Sequence, residues 1–142
     1  MTATRFNEEV RKLIGVPFLA QGRTLNGLDC AGIIVHAYRQ IGIAIPERND
    51  YSLRGENYTN DLLRLIAQSH DKIKSIDEAQ DGDVLLFSTK YAGQAKHIGV
   101  LTSKSKMLFM HTTEQMKEAK EEALDDLKWL RHLHSIWRLK HG

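Results

Sequence analysis

The stretch NGLDCAGIIVHAY, residues 26–38, holds the chain's single cysteine, Cys30, at a turn-to-helix junction directly after Asp29. A thiol in the first turn of a helix meets the positive end of the helix dipole. That environment favours the thiolate and lowers the thiol pKa below its ordinary value of about 8.5. Cys30 also shares a helix face with Ile33, Ile34 and Ala37, so the same spacing reads equally as a small apolar residue packed in a core.

A cysteine nucleophile needs a base, usually histidine, held by a third group. The chain has 7 histidines. His36 lies six residues beyond Cys30, about 600° around the helix, and points away from it. His70 reads as the end of a helix, and His132, His134 and His141 as solvated tail residues. His97 and His111 differ, because both fall in strand-like runs, HIGVLT and KMLFMH. If SKS, residues 103–105, is a three-residue hairpin loop, Thr102 pairs with Lys106 and the count sets His97 directly opposite His111. Their separation is even, so both side chains leave one face, with Cβ atoms about 4.5–5.5 Å apart if directly paired. A loop longer or shorter by one residue would spoil the pairing. The bland counterpart is two half-exposed strand histidines.

The elements that must position these residues follow from periodicity. Residues 6–14, FNEEVRKLI, read as a short amphipathic helix, followed by the turn-rich loop GVPFLAQGRTLNGLD. A second helix runs from about Asp29, its candidate N-cap, to Gln40, with Gly42 as its stop. The polar stretch ERNDYSLRGENYT reads as a surface loop, and Asn60 as the cap of a helix DLLRLIAQSH. Strands DVLLF, HIGVLT and KMLFMH follow. A weaker strand is expected near Lys117–Ala123, then a short helix DDLKWLRHL and a final strand SIWRL. Helices first and antiparallel strands after is an α+β order, in one domain spanning 1–142.

Composition narrows the classes of partner. With 20 basic and 18 acidic residues the formal charge is +2, and the cations are dispersed among acids, which argues against a nucleic-acid surface. The basic ending RHLHSIWRLKHG reads as a solvated edge. A single cysteine forms no internal disulfide, so nothing points to an oxidising compartment. The first residues lack the apolar core of a secretion signal, and no run approaches the roughly 20 apolar residues of a membrane span. Synthesis in the cytoplasm and a monomeric state when free are the expectations. One cysteine and two histidines at these spacings match no common structural zinc site, and no metal or cofactor is expected.

Taken together, GVPFLAQGRTLNGLDCAGIIVHAYRQIGIAIP, DGDVLLF and KHIGVLTSKSKMLFMH resemble the NlpC/p60-type cysteine peptidases of cell-wall turnover. The likeness is greatest to the phage and prophage tail-associated branch, in which QGR precedes a D-C-x-G helix. It runs in order over roughly residues 11–138. The resemblance implies a papain-like α+β fold, the nucleophile at the N-terminus of a helix packed on an antiparallel sheet. It implies Cys30 as nucleophile, His97 as general base and His111 as the polar third member. The Cys30 backbone N–H would be an oxyanion donor. The implied reaction is hydrolysis of the peptidoglycan stem peptide between γ-D-glutamate and a diamino acid.

The chain departs from the family pattern at three places. Phe18 stands where many members have a tyrosine, removing a hydroxyl near the nucleophile, which would either reduce activity or pass the role to Gln21. Ala31 replaces a serine that, with Asp29, helps bind the substrate's free amine. Ala20 and Gln21 replace an aromatic residue and a glycine, and residues 47–59 are expected to add a rim to the cleft. The likeness to the tail-associated branch fits delivery to the wall by a phage tail tip or tail-like particle, and the sequence fits equally a cytosolic protein that never meets peptidoglycan. Two other functions stay open on the residues: a tail-assembly protein that keeps the fold with little or no activity, and an amidase or acyl transferase on the same scaffold.

Overall fold

A computed structural model describes residues 2–45, 66–88, 95–125 and 128–140. Helix α1 (Thr2–Arg11) buries Phe6, Asn7 and Val10. It lies four residues earlier at its start than the expected 6–14 helix, because Thr2–Arg5 continue the helix as exposed or half-buried residues that apolar spacing does not reveal. Helix α2 (Cys30–Gln40) matches its expected span, and its apolar face, Ile33, Ile34 and Ala37, is buried. Phe6 of α1 stacks on Tyr38 of α2 with ring centroids 4.0 Å apart, which locks the two helices together. The loop between them contains a small hairpin, β1 (Arg23–Thr24) with β2 (Gly27–Leu28).

The remaining strands are β3 (His70–Ile73), β4 (Val84–Ser88), β5 (Ala95–Ser103), β6 (Leu108–His111), β7 (Lys120–Ala123) and β8 (Leu133–Leu139). They form one antiparallel sheet in the order β3-β8-β4-β5-β6-β7. Period-two alternation divides its residues between two cores. Val84, Leu86, Ile98, Val100 and Met110 pack with the helices, and Cys30 belongs to this cluster. Leu85, Phe87, Leu101, Phe109 and Ile136 form the second core on the other face. The α+β, papain-like architecture expected from the sequence is the one observed.

Several local expectations are corrected. His70 does not end a helix on the surface; it opens β3 and is 2% exposed. Its ring bonds to the Tyr38 hydroxyl at 2.9 Å, so a partner on α2 draws it inside. The helix expected in DDLKWLRHL is reduced to a single 3-10 turn, Leu130–His132, beyond which β8 begins two residues before SIWRL. The weak strand near Lys117–Ala123 shortens to β7. His132 and His134 are half-buried rather than solvated, and His134 bonds to the Ser135 hydroxyl at 2.8 Å. The 47–59 rim, most of the DLLRLIAQSH helix and His141 lie outside the described residues.

The hairpin joining β5 to β6 corrects the histidine register. Its loop has four residues, Lys104–Met107, with Ser103 paired to Leu108. Continued regularly, that closure would place His97 and His111 on opposite faces. Thr102 is instead a bulge: Leu101 pairs with Phe109 and Val100 with Met110. The extra residue restores the even offset. Gly99 becomes the position facing His111, and His97 its diagonal neighbour on the same face.

Candidate active site

Asp29 organises the entrance to α2. Its side chain caps the helix, accepting from the Gly32 N–H at 2.7 Å, and also accepts from the Gln21 N–H at 3.0 Å. Arg23 Nη1 lies 2.8 Å from the same carboxylate and donates to the Gly22 carbonyl as well. The carboxylate is 0% exposed. The glycines around it are steric requirements. A Cβ on Gly32 would stand 2.2 Å from the Gly22 carbonyl oxygen, and a Cβ on Gly22 2.2 Å from that of Gly27. The G-R and D-C-x-G elements are therefore halves of one close backbone contact that fixes the α2 N-terminus.

Cys30, the first residue of α2, is 5% exposed and belongs to the helix-side core, whereas the aromatic rings packed on His97 and His111, namely Phe87, Phe109 and Trp129, belong to the core on the other face of the sheet. Ala31 is 2% exposed and faces the interior. Phe18 is half-buried; its N–H donates to the Lys117 carbonyl at 2.8 Å, and it bridges to Leu28, tying the segment before the hairpin to the chain leading into β7. Gln21 is exposed and holds a left-handed backbone, φ 61°, where its N–H meets Asp29. Of the residues read as substrate-binding, Gln21 alone is exposed. Asp29, which holds the Gln21 N–H, and Ala31 are buried.

His97 and His111 meet directly, Nε2 of His97 lying 2.8 Å from Nδ1 of His111. The sequence count anticipated their common face but not the diagonal step. Gly99 makes that step available, since a Cβ there would approach Phe109 Cδ2 at 3.0 Å and His111 Cβ at 3.4 Å. The other ring nitrogen of His111, Nε2, is hydrogen-bonded to the Glu122 carboxylate. Trp129 closes over both imidazoles, with centroids 5.7 Å from His97 and 4.7 Å from His111, and Phe109 stacks on His111 at 4.3 Å.

This aromatic shelter favours the neutral form of both rings. Burial, aided by the neighbouring His111, pushes His97 down to about 3, and burial with the Lys128 cation pushes His111 down to about 3. His36 turns away from this pair, its Nδ1 3.2 Å from the Arg23 carbonyl. Among the described residues no group of three or more His, Cys, Asp or Glu could hold a metal ion, and no helix is long and apolar enough to cross a membrane.

Glu122 and Trp129 were not singled out from sequence. Glu122 carried a usable sign, since Lys120 and Glu122 share one strand parity in KEEA, but nothing local shows that β7 lies next to β6. Trp129 is delivered by the irregular segment before β8 and has no periodic signature.

The fold has counterparts among known proteins. The chain is 23% identical over 133 residues to the probable endopeptidase NlpC of Escherichia coli strain K12, covering 94% of this chain and 75% of that protein. A lipoprotein-like NLP/P60 structure from Staphylococcus aureus superposes with a TM-score of 0.72 at 23% identity, covering 99% of this chain but only 42% of that one. The peptidoglycan hydrolase RipB of Mycobacterium tuberculosis superposes with a TM-score of 0.66 at 14% identity, covering 99% and 66%. The sequence profile of the NlpC/P60 family matches residues 15–138, nearly the whole chain from the loop before β1 to the end of β8, and the chain belongs to that family.

Proposed function

We propose that the protein is a cysteine endopeptidase that cuts the peptide stem of peptidoglycan, at the bond between γ-D-glutamate and a diamino acid. The observation that carries this reading is the hydrogen bond between half-buried His97 on β5 and buried His111 on β6, in a chain whose single cysteine begins α2, the helix that packs against β5. Family membership supports the same assignment.

In this reading His97 is the base and Cys30 the nucleophile. A neutral imidazole is the form a general base must have, and burial supplies it. His97 takes the thiol proton, and sulfur attacks the γ-D-glutamyl carbonyl carbon. The developing oxyanion is met by the first-turn N–H of Cys30 and the α2 dipole. Collapse of the tetrahedral species expels the amine, which receives the proton from His97. Water, deprotonated by His97, then hydrolyses the thioester and regenerates the thiol. His111 holds the ring of His97 in plane throughout.

Substrate recognition is assigned to Gln21, exposed at the α2 entrance, and to Phe18 beside it. Asp29 is proposed to act on the stem's free amine through the backbone it holds, since its carboxylate is enclosed by Arg23, Gln21 and Gly32. Action at the cell wall as part of a phage tail or tail-like particle is part of the proposal, supported by the likeness of residues 21–32 to the tail-associated branch.

Digestion of purified muropeptides with mass analysis of the products tests the reading. Cleavage within the stem that disappears in Cys30→Ala and His97→Ala is expected. Release of the whole stem from the sugar would replace it with an amidase. A folded protein that leaves every muropeptide intact would leave the tail-assembly role in its place.

A further inference from the structure

The geometry points to Glu122 as a positioning residue that sets the proton pattern of the two histidines and presents His97 Nδ1, rather than Nε2, to the thiol. This rests on the peptidase reading above and adds a fourth member to it.

A chain of donors and acceptors crosses three adjacent strands. Glu122 on β7 bonds to Nε2 of His111 on β6, and Nδ1 of His111 lies 2.8 Å from Nε2 of His97 on β5. A carboxylate oxygen can only accept, so Nε2 of His111 must carry the hydrogen. Burial, with Lys128, lowers His111 to about 3 against the pull of the Glu122 carboxylate, and in the neutral ring Nδ1 is left as a lone-pair acceptor. His97 must then donate from Nε2. Being neutral as well, it keeps its lone pair on Nδ1. With both rings neutral the series has one assignment, and Glu122 anchors it. With no acceptor at Glu122, His111 could carry its hydrogen on either nitrogen. The tautomer with hydrogen on Nδ1 would turn a donor toward His97 and set its lone pair on Nε2, the wrong side.

The sheet places Glu122 for this task. It pairs with Phe109, while Lys120 pairs with His111, so the carboxylate reaches His111 along a diagonal, as His97 does from the opposite strand. Its side chain is 33% exposed, in contrast to the fully buried His111, so the anchor stands at the wet side of that ring. Among the described residues, the charged groups facing the pair are Glu122, Lys128 and, opposite His111 in register, Lys120. Of these, Glu122 favours a positive charge on His97. It therefore also stabilises the imidazolium that forms once the thiol has lost its proton.

The experiment measures iodoacetamide alkylation of Cys30 against pH, and stem cleavage, in wild type, His97→Ala, Glu122→Ala and Glu122→Gln. Glutamine keeps an acceptor oxygen and loses the charge. The expected result is a drop of about tenfold or more in the neutral-pH rate for Glu122→Ala. Glu122→Gln is expected to retain more activity, with its alkylation profile displaced to higher pH. A purely structural role would lower thermal stability without displacing the profile. If His97→Ala loses reactivity but both Glu122 variants keep the wild-type profile, the role of Glu122 is overturned and the peptidase reading stands. If wild-type Cys30 reacts no faster than an ordinary thiol, and His97→Ala behaves identically, both fall. Should Glu122→Ala not fold, nitrogen-15 NMR of the wild type decides: hydrogen on Nε2 of both His97 and His111 is expected, and hydrogen on Nδ1 of His111 overturns the assignment.

Discussion

Asn7 on α1 donates its side-chain amide to the carbonyl of Thr102 at 2.7 Å, in the interior. Thr102 is the bulged residue that returns His97 and His111 to one face. A bulge leaves ladder groups unpaired, and a buried carbonyl without a donor is costly. The first helix thus helps to hold the register on which the histidine pair depends. Asn7→Ala is expected to lower stability by about 1–3 kcal/mol, read as a shift in the urea midpoint. An unchanged midpoint would show that the bulge keeps itself.

Gly99 makes a second register-dependent prediction. A methyl group there would press on the Met110 carbonyl oxygen at 2.9 Å, Phe109 Cδ2 at 3.0 Å and His111 Cβ at 3.4 Å. Gly99→Ala should displace His111 from His97 and cut stem cleavage by about tenfold or more, with a smaller loss of stability than a core truncation. Wild-type turnover in a folded Gly99→Ala protein would mean that the two rings tolerate a shifted strand.

Removing Arg23 tests the base of the α2 entrance. Its guanidinium is the cation beside the fully buried Asp29 carboxylate, 2.8 Å away. Breaking such a pair from one side typically costs about 3–5 kcal/mol, and the N–H donors of Gln21 and Gly32 should hold the loss of Arg23→Ala near the lower end. Calorimetric unfolding measures it. Asp29→Ala would add the loss of the helix cap, worth roughly 1 kcal/mol. A neutral Arg23→Ala would show that the carboxylate is satisfied by backbone donors alone.

Acid should destabilise the fold through its buried histidines. Burial holds His70 at about 4 and His97 and His111 at about 3, against 6.5 for an ordinary histidine. Between pH 6.5 and these values the unfolded chain binds protons that the folded chain refuses. The stabilising effect of neutral rings is therefore complete above pH 6.5 and is lost progressively as the pH falls, to about 4 for His70 and about 3 for the other two. Each group adds at most about 1.4 kcal/mol per pH unit in its window. Unfolding midpoints from pH 7 to 4 should fall steeply, and His70→Asn should flatten the slope. An identical slope in that variant would remove His70 from the account.

What was legible in the sequence is what local spacing encodes. The α2 helix, its Asp29 cap and its Gly42 stop follow from a 3.6-residue apolar period and from capping chemistry. The Gly42 φ of 82° and the Asp29–Gly32 bond are their physical counterparts. The even separation of His97 and His111 limited them to one face if the hairpin kept parity. The family was readable because the close packing of Gly22 against both Gly27 and Gly32 leaves a fixed pattern of small residues around Cys30.

Tertiary structure decided the rest. The true register comes from a four-residue loop and a compensating bulge held by Asn7, 95 residues away from Thr102 in sequence. No local propensity reports on such a contact. His70 is polar and looked exposed, yet Tyr38 draws it inside. Glu122 and Trp129 converge on the histidines only because β7 and the segment before β8 return to the same side of the sheet. Short-range periodicity determines which face a residue occupies; the pairing of distant strands determines what it meets there.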